Sequence, residues 1–189
     1  MNTDDGKMEK DGMVIAALGA EVSSRDRAEL AGLLQACVEG GALIGFLAPL
    51  AAAESEAYWA KIIGDLSGGF RVLLVVRAGA GGAIVGSAQL ACEVKANGRH
   101  RGEVQKVMVL PAHRRRGIAA RLMAEIERVA RARGLTLLFL DTSDSHAGAR
   151  EFYERLDYAY AGGIPNYALD PHGTPEKNAI FYKILAPGG

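Results

Sequence analysis

The run Val107-Met108-Val109-Leu110-Pro111-Ala112-His113-Arg114-Arg115-Arg116-Gly117-Ile118-Ala119-Ala120 decides the fold. Val107 to Leu110 are β-branched or bulky apolar residues that fit a buried pleat. Pro111 has no N–H to give a ladder and closes the strand. Three arginines then lead into Gly117, where the missing side chain lets another molecule come close to the backbone. From Gly117 the spacing turns helical, with Ile118, Leu122, Ile126 and Val129/Ala130 recurring every three or four residues. Arg121 and Glu125, and Glu127 and Arg131, stand at i,i+4 on the expected outer face. The stretch therefore reads as strand, basic turn, helix.

A helix start presents unpaired N–H groups and a partial positive charge, which together hold phosphate, and arginines just upstream add to the pull. The spacing is not a P-loop, because no Gly-Lys-Ser/Thr follows the turn. Nor is it a dinucleotide fingerprint, since Gly-x-Gly-x-x-Gly is absent. Two readings stay open on these residues alone: a solvated basic turn before a surface helix, or an anion site of another kind.

Upstream, Phe70–Arg77, Ala83–Val94 and Gly102–Leu110 are candidate strands. They are joined by Ala78-Gly79-Ala80-Gly81-Gly82 and Ala96-Asn97-Gly98, links short enough to demand an antiparallel meander. Downstream, the helix runs from Gly117 to Arg133 and stops at Gly134. Leu135–Leu140 is a nearly continuous apolar strand of the doubly buried kind. Strand, helix, strand adds a parallel β-α-β unit to the meander, an α/β mixed sheet.

Thr142 to Ser145 is a polar elbow with N-cap chemistry, and Ala149, Phe152, Tyr153 and Leu156 form one helical stripe. Tyr158–Gly162 and Ala179–Leu185 close the chain as short strands around a loop, Gly163 to Lys177. Near the start, Met13–Leu18 is a strand. Ser23-x-x-Asp26 caps a helix ending at Gly40-Gly41, and a second helix follows Pro49 and stops at Gly68-Gly69. Between these helices, Ala42 to Leu50 is an apolar loop that serves either core packing or a pocket wall. Residues 1–11 are expected to be a flexible tail and 12–187 a single domain.

Charge balances, 22 basic against 22 acidic residues, so no global field draws the chain to nucleic acid or a membrane. The basic residues cluster locally (Arg99, His100, Arg101, Lys106, then His113 to Arg116), which favours a small polyanion over a long phosphate backbone. Cys37 and Cys92 lack metal-type spacing, as do the four histidines, and no metal is expected. No signal-type segment or bilayer-length apolar run is visible, so a cytoplasmic protein is expected.

At this point the residues resemble the GNAT N-acetyltransferase superfamily. Arg114-x-x-Gly117-x-Ala119 is similar to its Arg/Gln-x-x-Gly-x-Gly/Ala acyl-CoA signature, and it lies between a strand and a helix as that signature does. Ala149-x-x-x-Tyr153-x-x-x-Asp157-Tyr158 is similar to a second motif, Asn-x-x-Ala-x-x-x-Tyr-x-x-x-Gly-Phe. Three residues depart from the pattern: His146 stands where Asn is frequent, Asp157 replaces Gly, and Ala119 replaces the second Gly. The likeness covers roughly residues 70 to 185.

The resemblance implies a GNAT-type fold in which the strands ending at Leu110 and starting at Leu135 splay apart. It implies acetyl-CoA as co-substrate, with its diphosphate over the amides of Arg115, Arg116, Gly117, Ile118, Ala119 and Ala120 and with Arg114 and Arg116 adding charge. The pantetheine arm is expected along Val107, Met108 and Val109, with Thr142, His146, Ala149 and Tyr153 beside it. For catalysis it implies the Val109 N–H on the thioester carbonyl and Tyr153 as acid. Glu103 is either the base, since period-two alternation puts it on one face with Gln105, Val107 and Val109, or an edge carboxylate paired with Lys106 or Arg101. Tyr167 and His172 are candidates for the acceptor pocket. The expected partners are acetyl-CoA and a small primary amine of toxin or amino-acid-like type, in a monomer or homodimer. A protein N-acetyltransferase and a catalytically silent acyl-CoA-binding module are the alternatives.

Overall fold

In the computed structural model, which describes residues 12–144 and 148–186, the meander forms where the apolar runs and glycine turns placed it. β1 (Met13–Leu18) leads through α1 (Ser24–Glu39) and α2 (Ala52–Leu66) to β2 (Arg71–Ala78), β3 (Ile84–Cys92) and β4 (Arg101–Val109). Ser23 caps α1 as expected, its Oγ accepting from the Asp26 N–H at 3.1 Å. α3 (Ile118–Ala132) then crosses to β5 (Leu137–Ser143), followed by α4 (Ala149–Glu154) and β6 (Ala159–Gly162). The expected loop at 163–177 contains a small hairpin, β7 (Ala168–Leu169) and β8 (Pro175–Glu176), before β9 (Asn178–Ile184). The seven-stranded mixed sheet has the order β1-β2-β3-β4-β5-β9-β6, and among the described residues its only parallel pair is β4 with β5.

Two apolar layers hold the sheet. Ile118, Leu122, Met123 and Ile126 of α3 pack with Tyr153 and Phe181 on one face. Leu30, Leu34 and Val38 of α1 and Trp59, Ile62 and Ile63 of α2 cover the other. Each of the fully buried leucines contributes about 2 kcal/mol by leaving water. Glu127 is not on an outer face as its spacing suggested. It is buried and accepts from Lys183 Nζ at 2.8 and 3.0 Å, as well as from Arg131 at 3.0 Å, tying α3 to β9. Glu125 pairs with Arg128, at 2.6 Å.

Two further expectations are corrected. β5 starts at Leu137 and runs past Leu140, because Asp141, Thr142 and Ser143 pair with Ile180, Ala179 and Asn178 of β9. Thr142 and Ser143 are thus strand rather than elbow. Ser145 and His146 lie outside the described residues, and α4 begins after Gly148 without a side-chain cap.

β4 also departs from the regular alternation expected of it. Gly86 and Ser87 face Val109 and Met108, whereas Gln89 faces Gln105, so β4 carries an extra residue at 106–107. Lys106 takes φ +49° at this bulge. Beyond it the alternation is reversed: Met108 packs into the α1/α2 layer, and Val107 and Val109 pack against the α3 layer. Glu103 and Gln105 therefore share a face with each other and with Lys106, but not with Val107 and Val109.

Candidate active site

β4 and β5 pair only where Arg101, Gly102 and Glu103 meet Leu137, Leu138 and Phe139. Past that point they diverge, leaving a gap in the middle of the sheet as the resemblance implied. On the α3/α4 side the gap opens into a cleft of about 760 Å³. It is lined by Val107, Met108 and Val109 of β4, by Arg114, Arg115 and Gly117 to Ala120 at the start of α3, and by Thr142, Ala149 and Tyr153. Cys37, Leu43, Ile44, Ser143 and Phe152 are also part of the wall.

The Leu110 N–H donates to Val85 O at 2.9 Å, so strand alternation turns the Val109 peptide away from β3 and toward the gap. The Val109 carbonyl accordingly accepts from Cys37 Sγ at 3.6 Å and from Arg114 Nε at 3.4 Å, neither of them in β3. By the same alternation the Met108 peptide faces β3. Of the three residues expected along the pantetheine arm, Val109 turns its backbone to the gap and Met108 does not.

After β4, residues 111–113 make one 3₁₀ turn, and Arg115 and Gly117 then take φ +60° and +75°. This winding ends in the free N–H groups of the first turn of α3. A Cβ built on Gly117 meets nothing within 4 Å, so the glycine is required for its backbone angle and leaves the surface in front of it open. Concave amides, a helix start and exposed arginines fit a diphosphate. Arg114 is folded back over the end of β4, and Arg116 is exposed and is not part of the cleft wall. Burial pushes the Cys37 thiol up, against an opposing pull from Arg114, so it is no thiolate at neutral pH.

Tyr153 projects from α4 into the cleft while its ring packs on Phe152, Phe181 and Tyr158, with centroids 5.0, 5.4 and 6.1 Å away. The ring thus belongs to the helical stripe read from the sequence, and the residue also lines the cleft. Burial pushes its phenol up to about 12, so it stays protonated throughout the neutral range.

On the α1/α2 side of the gap lies a second cavity of about 480 Å³. It shares Leu43, Ile44, Thr142 and Ser143 with the first, so the two meet at the splayed strands. Glu103 lines this second cavity, not the first, and accepts from Gln105 Nε2 at 2.8 Å. Arg71 Nη1 donates to Gln105 and Gln89, both at 2.9 Å, and Gln89 donates to the Tyr58 hydroxyl at 2.9 Å. Across the cavity stand Asp141, Lys177 and Asn178. Burial raises the Asp141 carboxyl, opposed by a hydrogen bond from Asn178 and by Lys106. The α1–α2 loop closes one side and the β7–β8 hairpin the other, joined by the Ala48 N–H donating to Pro171 O at 2.8 Å. Tyr167 is on this rim. His172 lines neither cavity, and its N–H is held by Asp170 Oδ1.

Arg71, Tyr58, Lys106 and Asp141 carry no motif in the sequence. They come together because β2, α2, β4 and β5 all present this face. Among the described residues, no group of His, Cys, Asp and Glu is arranged to hold a metal, and no helix is long and apolar enough to cross a membrane.

Residues 20–158 match the acetyltransferase (GNAT) family. The chain belongs to that family. An N-acetyltransferase from Staphylococcus aureus Mu50 has the same fold, with TM-score 0.74 and 15% identity, covering 92% of this chain and 99% of that one. A putative acetyltransferase from Salmonella typhimurium, solved with its cofactor acetyl-CoA, gives TM-score 0.73 and 18% identity over 94% and 99%. A ribosomal-protein-alanine N-acetyltransferase from Brucella melitensis gives 0.72 and 22% over 90% and 99%.

Proposed function

We propose that this chain is an acetyl-CoA-dependent N-acetyltransferase whose acceptor is the primary amine of a small, toxin- or amino-acid-like molecule. The observation that carries the reading is the pair of cavities meeting at the unpaired ends of β4 and β5. One has phosphate-binding chemistry at its far end; the other is smaller and lined by charge. The acetyl-CoA bound to the Salmonella relative supports the first assignment. Residues 103 to 142 also look similar to the tabtoxin resistance protein, which supports a small-molecule acceptor. Two free cysteines fit a reducing, cytoplasmic setting.

The amides from Arg115 to Ala120 would hold the diphosphate, and the Val109 backbone would pair with the pantetheine arm as an added strand does. When bound, acetyl-CoA supplies an acyl group already activated as a thioester, so no covalent enzyme intermediate is needed. The chain aligns the amine, coming from the 480 Å³ side, with the acyl carbon in the gap. The Val109 N–H donates to the carbonyl oxygen, where negative charge grows. Glu103 takes the proton of the incoming ammonium, directly or through water, and the Tyr153 hydroxyl donates to the departing sulfur.

The test is thiol release from acetyl-CoA against a panel of small amines and N-terminal peptides, with mass spectrometry of the product. Acetylation of small amines, lowered at least tenfold in Tyr153→Phe, is the expected result. Turnover confined to peptides establishes the protein-acetylating alternative. Coenzyme A binding without turnover of any amine establishes the silent module.

A further inference from the structure

The β4 bulge places in the second cavity a cation that the proposed proton transfers do not use. Lys106 is the residue with positive φ, and its side chain lies on the same face as its neighbours Gln105 and Glu103. Its Nζ sits 6.0 and 5.9 Å from the ring centres of Phe46 and Tyr58, and 3.6 Å from the position a Cβ on Gly45 would take. The other cations of the cavity are committed. Lys61 pairs with Asp65 at 3.2 Å and Lys177 with Asp144 at 2.7 Å. Arg71 is held by two glutamines and stands 3.6 Å from Asp65. Lys106 alone of these four has neither a hydrogen bond nor an ion pair among the described residues, while Glu103 and Asp141 attract its charge across the cavity.

An ammonium carries three donors, and ring faces satisfy charge but not hydrogen-bond direction. A half-buried ammonium facing a cavity with its donors unused is complementary to an acceptor's anion. Glu103 and Asp141, in the same cavity, are complementary to that acceptor's ammonium. We propose that Lys106, presented by the β4 bulge between Phe46 and Tyr58, anchors a carboxylate of the acceptor. The acceptor is then an amino acid rather than a simple alkylamine. The assignment rests on the transferase reading above.

The experiment compares matched acceptors with and without the carboxylate: L-phenylalanine against 2-phenylethylamine, and L-leucine against isoamylamine. Each is assayed with wild type and with Lys106→Met, which keeps most of the stem and loses the charge. Binding of N-acetyl-L-phenylalanine and of N-(2-phenylethyl)acetamide to the coenzyme A complex is measured in parallel by calorimetry. The wild type should favour the acid-bearing member of a pair by roughly 10- to 100-fold in kcat/KM, the scale of a charge-assisted hydrogen bond. Lys106→Met should collapse that ratio through KM and weaken N-acetyl-L-phenylalanine by the same factor, with the KM for acetyl-CoA preserved. Equal kcat/KM within each pair, or an equal loss for both members through kcat, overturns the anchor while the transferase reading stands. If no amine turns over, the transferase reading falls: Lys106-dependent binding of the acid-bearing probe then supports the anchor, and its absence overturns it.

Discussion

Tyr153 is the side chain at which packing and the proposed chemistry meet. Its ring is wedged among three aromatics, while the residue also forms part of the cleft wall. Tyr153→Phe preserves the packing, so acetyl-CoA affinity should stay within about twofold while kcat falls roughly 10²-fold, the usual worth of a placed general acid. Steady-state kinetics beside calorimetric titration separates the two. The phenol also has a pH signature. Its folded pKa of about 12 lies above the unfolded value near ~10, so its contribution to stability is complete below pH ~10 and is lost as pH rises through 12. Between those limits the wild type should lose on the order of 2–3 kcal/mol more than Tyr153→Phe, measured by urea unfolding at stepped pH. A rate profile that breaks near pH 10 through this group would contradict the assignment.

At the scale of elements, the joint from β4 to α3 depends on a backbone angle that favours glycine. Gly117 holds φ +75° with open space where a side chain would stand. Gly117→Ala should therefore cost about 1 kcal/mol of backbone strain, a fall of about 2–4 °C in Tm by differential scanning calorimetry, without displacing any neighbour. This joint was legible because proline, arginines and glycine punctuate it, and the meander was legible because Gly-rich turns bound its strands. The end of β5 was not. Asp141, Thr142 and Ser143 are polar residues held in strand by β9, a partner that local pattern does not reveal. Nor was the bulge at Lys106, a non-glycine residue at positive φ with no marker in the sequence. Period-two counting across that bulge correctly grouped Glu103 with Gln105 but assigned Val107 and Val109 to the wrong face. The cavity lining of Arg71, Tyr58 and Lys106 follows from topology, which explains why the cleft beside α3 was legible in the sequence and the second cavity was not.

Across the whole molecule, the gap is affordable because other ties hold the two halves of the sheet. α3 spans it and is pinned to β9 by Glu127 and Lys183, whose Nζ also donates to Leu156 O at 2.8 Å. Glu127→Ala would strand a largely buried ammonium, and a loss of about 3–5 kcal/mol is expected by denaturant unfolding. The double variant Glu127→Leu/Lys183→Met should recover much of it, since apolar replacement of a buried pair is tolerated better than breaking it. The central claim, that amides at the start of α3 grip a nucleotide-tailed thioester and aim it into the split sheet, meets its most direct test in calorimetric titration with coenzyme A. The account predicts saturable one-to-one binding by the wild type, weakened at least 100-fold in a folded Gly117→Glu protein. No binding by the wild type, or equal affinity in the two proteins, would contradict it.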